Sequence, residues 1–318
     1  METILNLLPL TAEEETAFRT TAPEAEHIFI PTRRRYAKYH LSPDLIARAT
    51  VIIGCPRPAL MADAISLRWL QTWSAGVDPY LDPGVIPTTP IVTCSVGAYG
   101  QAVSEHLLTL CLSLMRFIPQ YRDVQRECRW KDYGPNKTLR GSTVLICGTG
   151  DIGSSFARLC KLMGARTIGL RRDPSRMAEG FDEIHALSDL ETWLPKADVT
   201  ALVLPHAPET VGLMNGRRIA LMKPDAILLN AGRGTAVDCT ALAEQMAAGH
   251  LWGAGLDVTH PEPLPPEHPL WLIPNALLTP HVAGIYFHMD ATLRIVKDIA
   301  LDNLRRYIAG EPLRNRMN

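Results

Sequence analysis

TVLICGTGDIG, residues 143–153, is a short apolar, β-branched run that ends in glycines at 148, 150 and 153. Behind it SSFARLCKLM, residues 154–163, has the apolar spacing of a helix. Strand, glycine turn and helix in that order have a physical logic. The first glycine permits a tight turn off the strand, and the second lets a pyrophosphate come up to the backbone. The third lets strand and helix pack closely, with the helix N-terminus facing the phosphates. G-x-G-x-x-G alone recurs by chance, but its placement between a strand and a helix points to dinucleotide binding. The expected cofactor contacts in this loop are Gly148, Gly150, Asp151, Ile152 and Gly153.

Working outward, alternating apolar runs and helical patterns recur along the chain, the signature of parallel sheets with crossover helices. Strands are predicted upstream at Ile4–Leu8, Ile28–Ile30, Val51–Gly54, Trp69–Trp73 and Ile91–Thr93. Downstream they are predicted at Thr167–Leu170, Val199–Leu204, Ile227–Asn230, Gly255–Val258 and Ala276–Leu278. A long helix is predicted from about Tyr99 to Arg116, ending before Pro119, and another over Asp290–Ala309, closed by Gly310. Between them Gln120–Arg140 reads as a polar stretch whose Trp130 and Tyr133 need a cover, such as a partner subunit. The fold class expected is α/β, with two doubly wound (Rossmann/flavodoxin-like) parallel-sheet domains and a ligand cleft between them. The dinucleotide-binding domain, residues 99–283, is inserted in the middle, and residues 1–98 with 284–318 form the other.

Composition narrows the function. The chain has 318 residues, with 32 basic against 33 acidic side chains, a balance that carries no electrostatic footprint for nucleic acid or anionic membranes. The Arg33–Arg35 triplet reads as a solvated loop. No apolar run approaches the ~20 residues of a membrane span. The N-terminus lacks a basic leader and runs into Thr11-x-x-Glu14, a capping box, so it reads as a first strand and helix rather than a signal peptide. Seven cysteines without a C-x-x-C pair, several in apolar runs (Cys111, Cys147, Cys160), read as reduced thiols of a cytoplasmic protein, and no metal-ligand spacing appears.

Three polar groups end predicted strands. Arg233, in Asn230-Ala-Gly-Arg-Gly, is placed to fork onto a carboxylate, although a turn arginine in solvent fits as well. Glu262 follows Asp257 in a proline-rich loop, where acids are mostly exposed. His281, in Thr279-Pro280-His281, is a side chain easily tuned to move a proton near neutrality.

In this order behind the glycine loop, GTGDIG, LLNAGRG, GLDVTHPEP and LLTPHVAG resemble the D-isomer-specific 2-hydroxyacid dehydrogenase family, in its glyoxylate/hydroxypyruvate reductase-like branch. WSAGVD at 73–78 is similar to the family's substrate-domain loop. The resemblance implies NAD(P)H-dependent reduction of a 2-oxo acid to a D-2-hydroxy acid. Arg233 would bind the substrate carboxylate and polarise the carbonyl, and His281 would be the general acid in reduction. Glu262 would pair with His281 and keep its imidazolium available. Asp257 would hold the nicotinamide carboxamide, and the N–H groups of Ala75 and Gly76 would take the other side of the substrate carboxylate. It also implies a homodimer formed around the long helix and the Trp130 segment, and closure about hinges near 97–100 and 283–286.

Where the family commonly places a ribose-binding Asp, this chain has Arg171, followed by Arg172; Asp173 precedes Pro174 and is expected to point into the turn. Two guanidiniums would pair with a 2′-phosphate that an acid would repel, so NADP(H) is expected over NAD(H). Trp73 and Tyr286 are candidates to flank the pocket or to serve as ordinary core aromatics, and His206 to touch the cofactor or only the surface. A phosphoglycerate- or formate-type dehydrogenase is the weaker enzymatic reading, for want of a regulatory domain or an extended N-terminus. The alternative from another class is a non-catalytic, dinucleotide-sensing corepressor-like protein of the same fold.

Overall fold

Short runs of apolar and β-branched residues form two sheets, and every pairing between their strands is parallel. Strands covered on both faces by crossover helices are continuous in hydrophobicity rather than alternating. The computed structural model describes residues 1–30, 41–284 and 290–318. Arg33–Arg35 and Tyr286 lie outside the described residues, as does part of the expected hinge at 283–286. The chain divides into two units, Met1–Tyr99 with Tyr286–Asn318, and Gly100–Ile285.

The first unit runs β1 (Thr3–Asn6), α1 (Ala12–Thr21), β2 (Glu26–Phe29), α2 (Pro43–Arg48), β3 (Val51–Ile53), β4 (Trp69–Gln71), α3 (Asp78–Leu81) and β5 (Ile91–Thr93). Its five-stranded sheet has the order β2-β1-β3-β4-β5. The capping box at α1 is formed: Thr11 accepts from the Glu14 N–H while the Glu14 carboxylate accepts from the Thr11 N–H. The terminal helix, Asp290–Ala309, packs into this unit, with Lys297 on Glu14 at 2.7 Å and the buried Asn303 amide on Gln71 at 2.8 Å.

The second unit begins with α4 (Gly100–Met115) and α5 (Ile118–Arg126), then β6 (Thr143–Cys147), α6 (Asp151–Leu162), β7 (Arg166–Arg171) and β8 (Glu183–Ala186). It continues through α7 (Leu190–Trp193), β9 (Val199–Leu202), α8 (Gly216–Leu221), β10 (Ile227–Asn230), α9 (Cys239–Ala247), β11 (Gly253–Leu256) and β12 (Ala276–Leu278). The seven strands are ordered β12-β11-β10-β9-β6-β7-β8, so the winding reverses between β6 and β9. Sheets of this kind bind ligands beyond the carboxyl ends of the strands at that reversal. Leu107, Leu110, Cys111 and Leu114 form the buried stripe of α4. They come close to β11 because its residues are small: a Cβ added to Gly255 would stand 3.1 Å from Leu110 Cβ.

Two elements differ from the sequence reading. The polar stretch after Pro119 opens with α5, bent 65° from α4, where Phe117 takes left-handed backbone (φ 56°) and Pro119 lies in the first turn. Proline ends one helix and starts the next, since the first turn has no use for its missing N–H. The sequence reading also omits β8, EIHA, an edge strand whose half-buried residues include Glu183 and His185. Edge strands carry charge that hides their strand character. Tyr133 is covered by its own chain, stacked on Phe117 at 5.8 Å and edge-on to Tyr121 at 5.3 Å. Trp130 is fully exposed.

Candidate active site

The glycine loop lies at the carboxyl end of β6, beside the reversal of strand order. A Cβ on Gly153 would fall 1.9 Å from the Gly148 carbonyl oxygen, so the third glycine is required for strand and helix to meet. Gly148 has φ of 106°, and a Cβ there would stand 2.9 Å from the Val203 carbonyl oxygen. Gly150 differs: a Cβ would meet nothing within 4 Å. Among the described residues no protein atom requires glycine at 150, whereas a pyrophosphate drawn up to the backbone would. α6 starts at Asp151, a full turn-forming step before the predicted Ser154, with Gly150 as N-cap and no side-chain cap. Uncapped N–H groups at the head of a twelve-residue helix suit a phosphate. The loop therefore fits a dinucleotide.

At the carboxyl end of β7, Arg171 donates to the Arg176 carbonyl oxygen at 2.8 Å, and the exposed Arg172 is ion-paired with Glu209. Asp173 turns into its own loop, as its place before Pro174 predicts, accepting from Ser175 Oγ at 2.6 Å and Ser175 N at 3.0 Å. Those two hydrogen bonds, with Arg171 and Arg176 nearby, hold its carboxyl below the usual aspartate range.

Arg233 is presented by a loop that Asn230 folds. Fully buried at the end of β10, Asn230 donates to the Arg233 carbonyl oxygen at 3.0 Å and accepts from Gly232 N at 3.1 Å. Glycine after Arg233 is dictated by close approach, since a Cβ on Gly234 would lie 1.8 Å from the Thr259 carbonyl oxygen. Arg233 is half-buried, with Nη1 donating to the Gly232 carbonyl at 2.9 Å.

His281 is half-buried and pairs through Nδ1 with Glu262 Oε1 at 2.8 Å. Its backbone is left-handed, φ 55°, a region costly for a non-glycine residue unless its surroundings fix it. They do: the His281 N–H reaches the Asp257 carbonyl oxygen at 2.8 Å, and the Val282 and Ala283 N–H groups reach the Asp257 carboxylate at 2.9 and 3.0 Å. Asp257 is buried at the end of β11 and also accepts from Thr279 Oγ1 at 2.6 Å. Three of about four acceptor directions on that carboxylate are thus taken within the chain. Behind Thr279, His106 of α4 stands with Nε2 2.9 Å from Thr279 Oγ1.

The second unit therefore holds the glycine loop, Arg171, Arg172, Arg233, Asp257, Glu262 and His281, while Ala75 and Gly76 belong to the first. There Ser74 fastens their turn, its hydroxyl donating to the Gly76 carbonyl oxygen at 2.6 Å and its carbonyl accepting from Ser95 N at 3.0 Å. Trp73 is a core residue, 2% exposed, whose carbonyl accepts from Tyr99 OH. His206 is exposed and lies 3.1 Å from Thr235 Oγ1. Sequence reasoning assigned nothing to Asn230, Thr279 and His106. His106 alone left a signal, a histidine among the apolar positions of α4.

Chemically, an imidazole held on a carboxylate can pass a proton, and a guanidinium at a strand end can fork onto an anion. Among the described residues no group of three His, Cys, Asp or Glu side chains is arranged to hold a metal ion, and no single helix is long and apolar enough to cross a membrane.

The sequence model described as "D-isomer specific 2-hydroxyacid dehydrogenase, NAD binding domain" matches residues 108–283. A crystal structure of a D-isomer specific 2-hydroxyacid dehydrogenase family protein from Aeromonas salmonicida is 34% identical, with a TM-score of 0.85 over 100% of this chain and 99% of that one. A glyoxylate reductase from Thermofilum pendens is 31% identical over 79% of this chain and 75% of its own length. An NADPH-dependent glyoxylate/hydroxypyruvate reductase from Sinorhizobium meliloti, solved with NADP and sulfate, is 27% identical, with a TM-score of 0.78 over 100% of this chain and 98% of that one.

Proposed function

Since the chain belongs to the D-isomer specific 2-hydroxyacid dehydrogenase family, and so to the enzymes that act on 2-hydroxy acids with a nicotinamide dinucleotide, we propose that it reduces a small 2-oxo acid to the D-2-hydroxy acid, with NADPH preferred. The branch we favour is the glyoxylate/hydroxypyruvate reductase-like one, in keeping with the likeness to the Thermofilum and Sinorhizobium proteins. The observation that carries the reading is the His281–Glu262 pair at 2.8 Å, in the unit that also holds the glycine loop and Arg233.

A bound nicotinamide supplies the hydride that reduces the keto carbon. Arg233 binds the substrate carboxylate through its planar fork and draws electron density from the neighbouring carbonyl. The N–H groups of Ala75 and Gly76 are the proposed substrate contacts of the first unit. His281 gives the proton. The Glu262 carboxylate can only accept, so Nδ1 of His281 donates to it and the opposite nitrogen, Nε2, is the one that protonates the developing alkoxide. In oxidation the same nitrogen is the base. Asp257 fixes the turn that aims His281 and has one acceptor direction left for the nicotinamide carboxamide.

The Gly148–Gly153 loop and the head of α6 hold the pyrophosphate. Arg171 and Arg172 take the 2′-phosphate, with Arg171 at the strand end where an NAD-binding site has its acid, and with Asp173 engaged by Ser175. Arg172 leaves Glu209 to do so, a small cost because solvent screens an exposed ion pair. We also propose a homodimer through α4 and the Trp130 segment.

The test is a panel of 2-oxo acids, glyoxylate and hydroxypyruvate included, assayed with NADPH and with NADH. Turnover with NADPH is the expected result. Tight cofactor binding with no substrate turned over would replace the enzyme with the dinucleotide-sensing reading.

A further inference from the structure

We propose that His106 is a positioning residue for His281, acting through Thr279 and Asp257; as a statement about catalysis it rests on the proposed function. His106 sits on α4, between the buried positions Val103 and Leu107, its side chain 18% exposed. Nothing in the packing requires a polar ring there. A Leu or Phe would suit an apolar helix face better, because a buried polar group costs free energy unless it is hydrogen-bonded.

The bond it makes has a definite direction. Thr279 has one hydroxyl hydrogen, and at 2.6 Å it goes to Asp257 Oδ1, which accepts from the Val282 N–H as well. Thr279 Oγ1 must then accept from His106, so the hydrogen on Nε2 of His106 points along the 2.9 Å contact. Nε2 also stands 3.6 Å from Asp257 Oδ1, close enough for a favourable electrostatic contribution in this buried setting. The chain His106–Thr279–Asp257 thereby anchors the carboxylate that holds the Val282 and Ala283 N–H groups, while the Asp257 carbonyl holds that of His281. A helix remote in sequence thus fixes the left-handed turn on which His281 is carried. The close approach of α4 to β11, permitted by Gly255, brings the ring within reach.

The test compares His106→Leu, His106→Gln and Thr279→Val with the full-length parent in two readouts. The first is amide hydrogen exchange over residues 279–284, which needs neither cofactor nor substrate. The second is kcat for 2-oxo acid reduction, with KM and cofactor affinity measured alongside. His106→Leu is expected to speed exchange in this segment and to lower kcat by about tenfold or more, with cofactor affinity held within about twofold. His106→Gln, whose amide can donate to Thr279, should restore most of both. The double variant His106→Leu/Thr279→Val should be no worse than the poorer single, because both break one chain. Unchanged exchange in His106→Leu overturns the proposal whatever the activity. So does faster exchange with an unchanged kcat, or a Gln variant no better than Leu. If the parent turns over no 2-oxo acid the proposed function fails, and the exchange arm alone decides whether His106 holds the turn.

Discussion

Glu262 Oε1 lies 2.8 Å from Nδ1 of His281, and the two side chains come from loops 19 residues apart, at the ends of adjacent strands. A carboxylate there can only accept, which fixes the ring nitrogen that carries hydrogen. Replacing it by the neutral Glu262→Gln keeps the shape and removes the charge. kcat for reduction should fall by about ten- to a hundredfold, or ~1.4–2.8 kcal/mol of transition-state stabilisation, with KM for NADPH little changed. Steady-state kinetics at saturating NADPH checks this, and an unaltered kcat would remove Glu262 from the mechanism.

Arg171 terminates β7, and Asp173 is engaged with Ser175 two residues on. Arg171→Asp places an acid where a ribose hydroxyl pair would be held and a 2′-phosphate repelled. kcat/KM with NADPH should fall by at least about tenfold, while that with NADH stays within about threefold or rises. Equal or better use of NADH by the parent protein would show the arginines to be solvated and uninvolved.

Trp130 is fully exposed, and Ile118 at the start of α5 is more than half exposed. Large apolar side chains presented in a charged segment suit an isologous interface. Sedimentation at micromolar concentration should show a dimer, and Trp130→Ala or Trp130→Glu should weaken it. A parent protein that sediments only as monomer contradicts the assembly.

Asp182 accepts from Lys161 Nζ at 2.6 Å and from Thr167 N at 2.9 Å. These bonds, the lysine's first, hold its carboxyl below the usual aspartate range. A depressed carboxylate contributes stability that is complete above its ordinary pKa of about 4 and is lost as pH falls through the folded value. Thermal unfolding from neutral pH down to about pH 3 should therefore show Asp182→Asn with a lower Tm near neutrality and a gentler decline on the acid side. Parallel curves for the two proteins would show that Asp182 has no part in the acid response.

Much of this was readable in the chain because it depends on local pattern. TVLIC, ILLN and GAGL are continuous apolar or small-residue strands, and each is followed within three residues by a residue that the sequence places in the site, Gly148, Arg233 and Asp257. The spacing and Gly310 place the terminal helix at its observed bounds, Asp290–Ala309. What escaped was set by distance. β8 is a charged edge strand, and Pro119 serves both as the end of one helical pattern and as the first turn of the next. The partners of Thr279 and Arg172, 173 and 37 residues away, have no local signature. In the sequence Tyr133 reads as needing a cover such as a partner subunit, because its actual cover, Phe117 and Tyr121, lies across the unpredicted bend between α4 and α5.

The most direct measurement is a single-turnover reaction in which the preformed NADPH complex of the parent protein is mixed with a 2-oxo acid such as glyoxylate. The reduced-nicotinamide absorbance is followed, with His281→Asn in parallel. Rapid loss of that absorbance is expected in the parent, with a rate lower by ~10²–10⁴-fold in His281→Asn and NADPH affinity retained in both. No absorbance loss in the parent across the substrate panel, or an equal rate in His281→Asn, would contradict the proposed function.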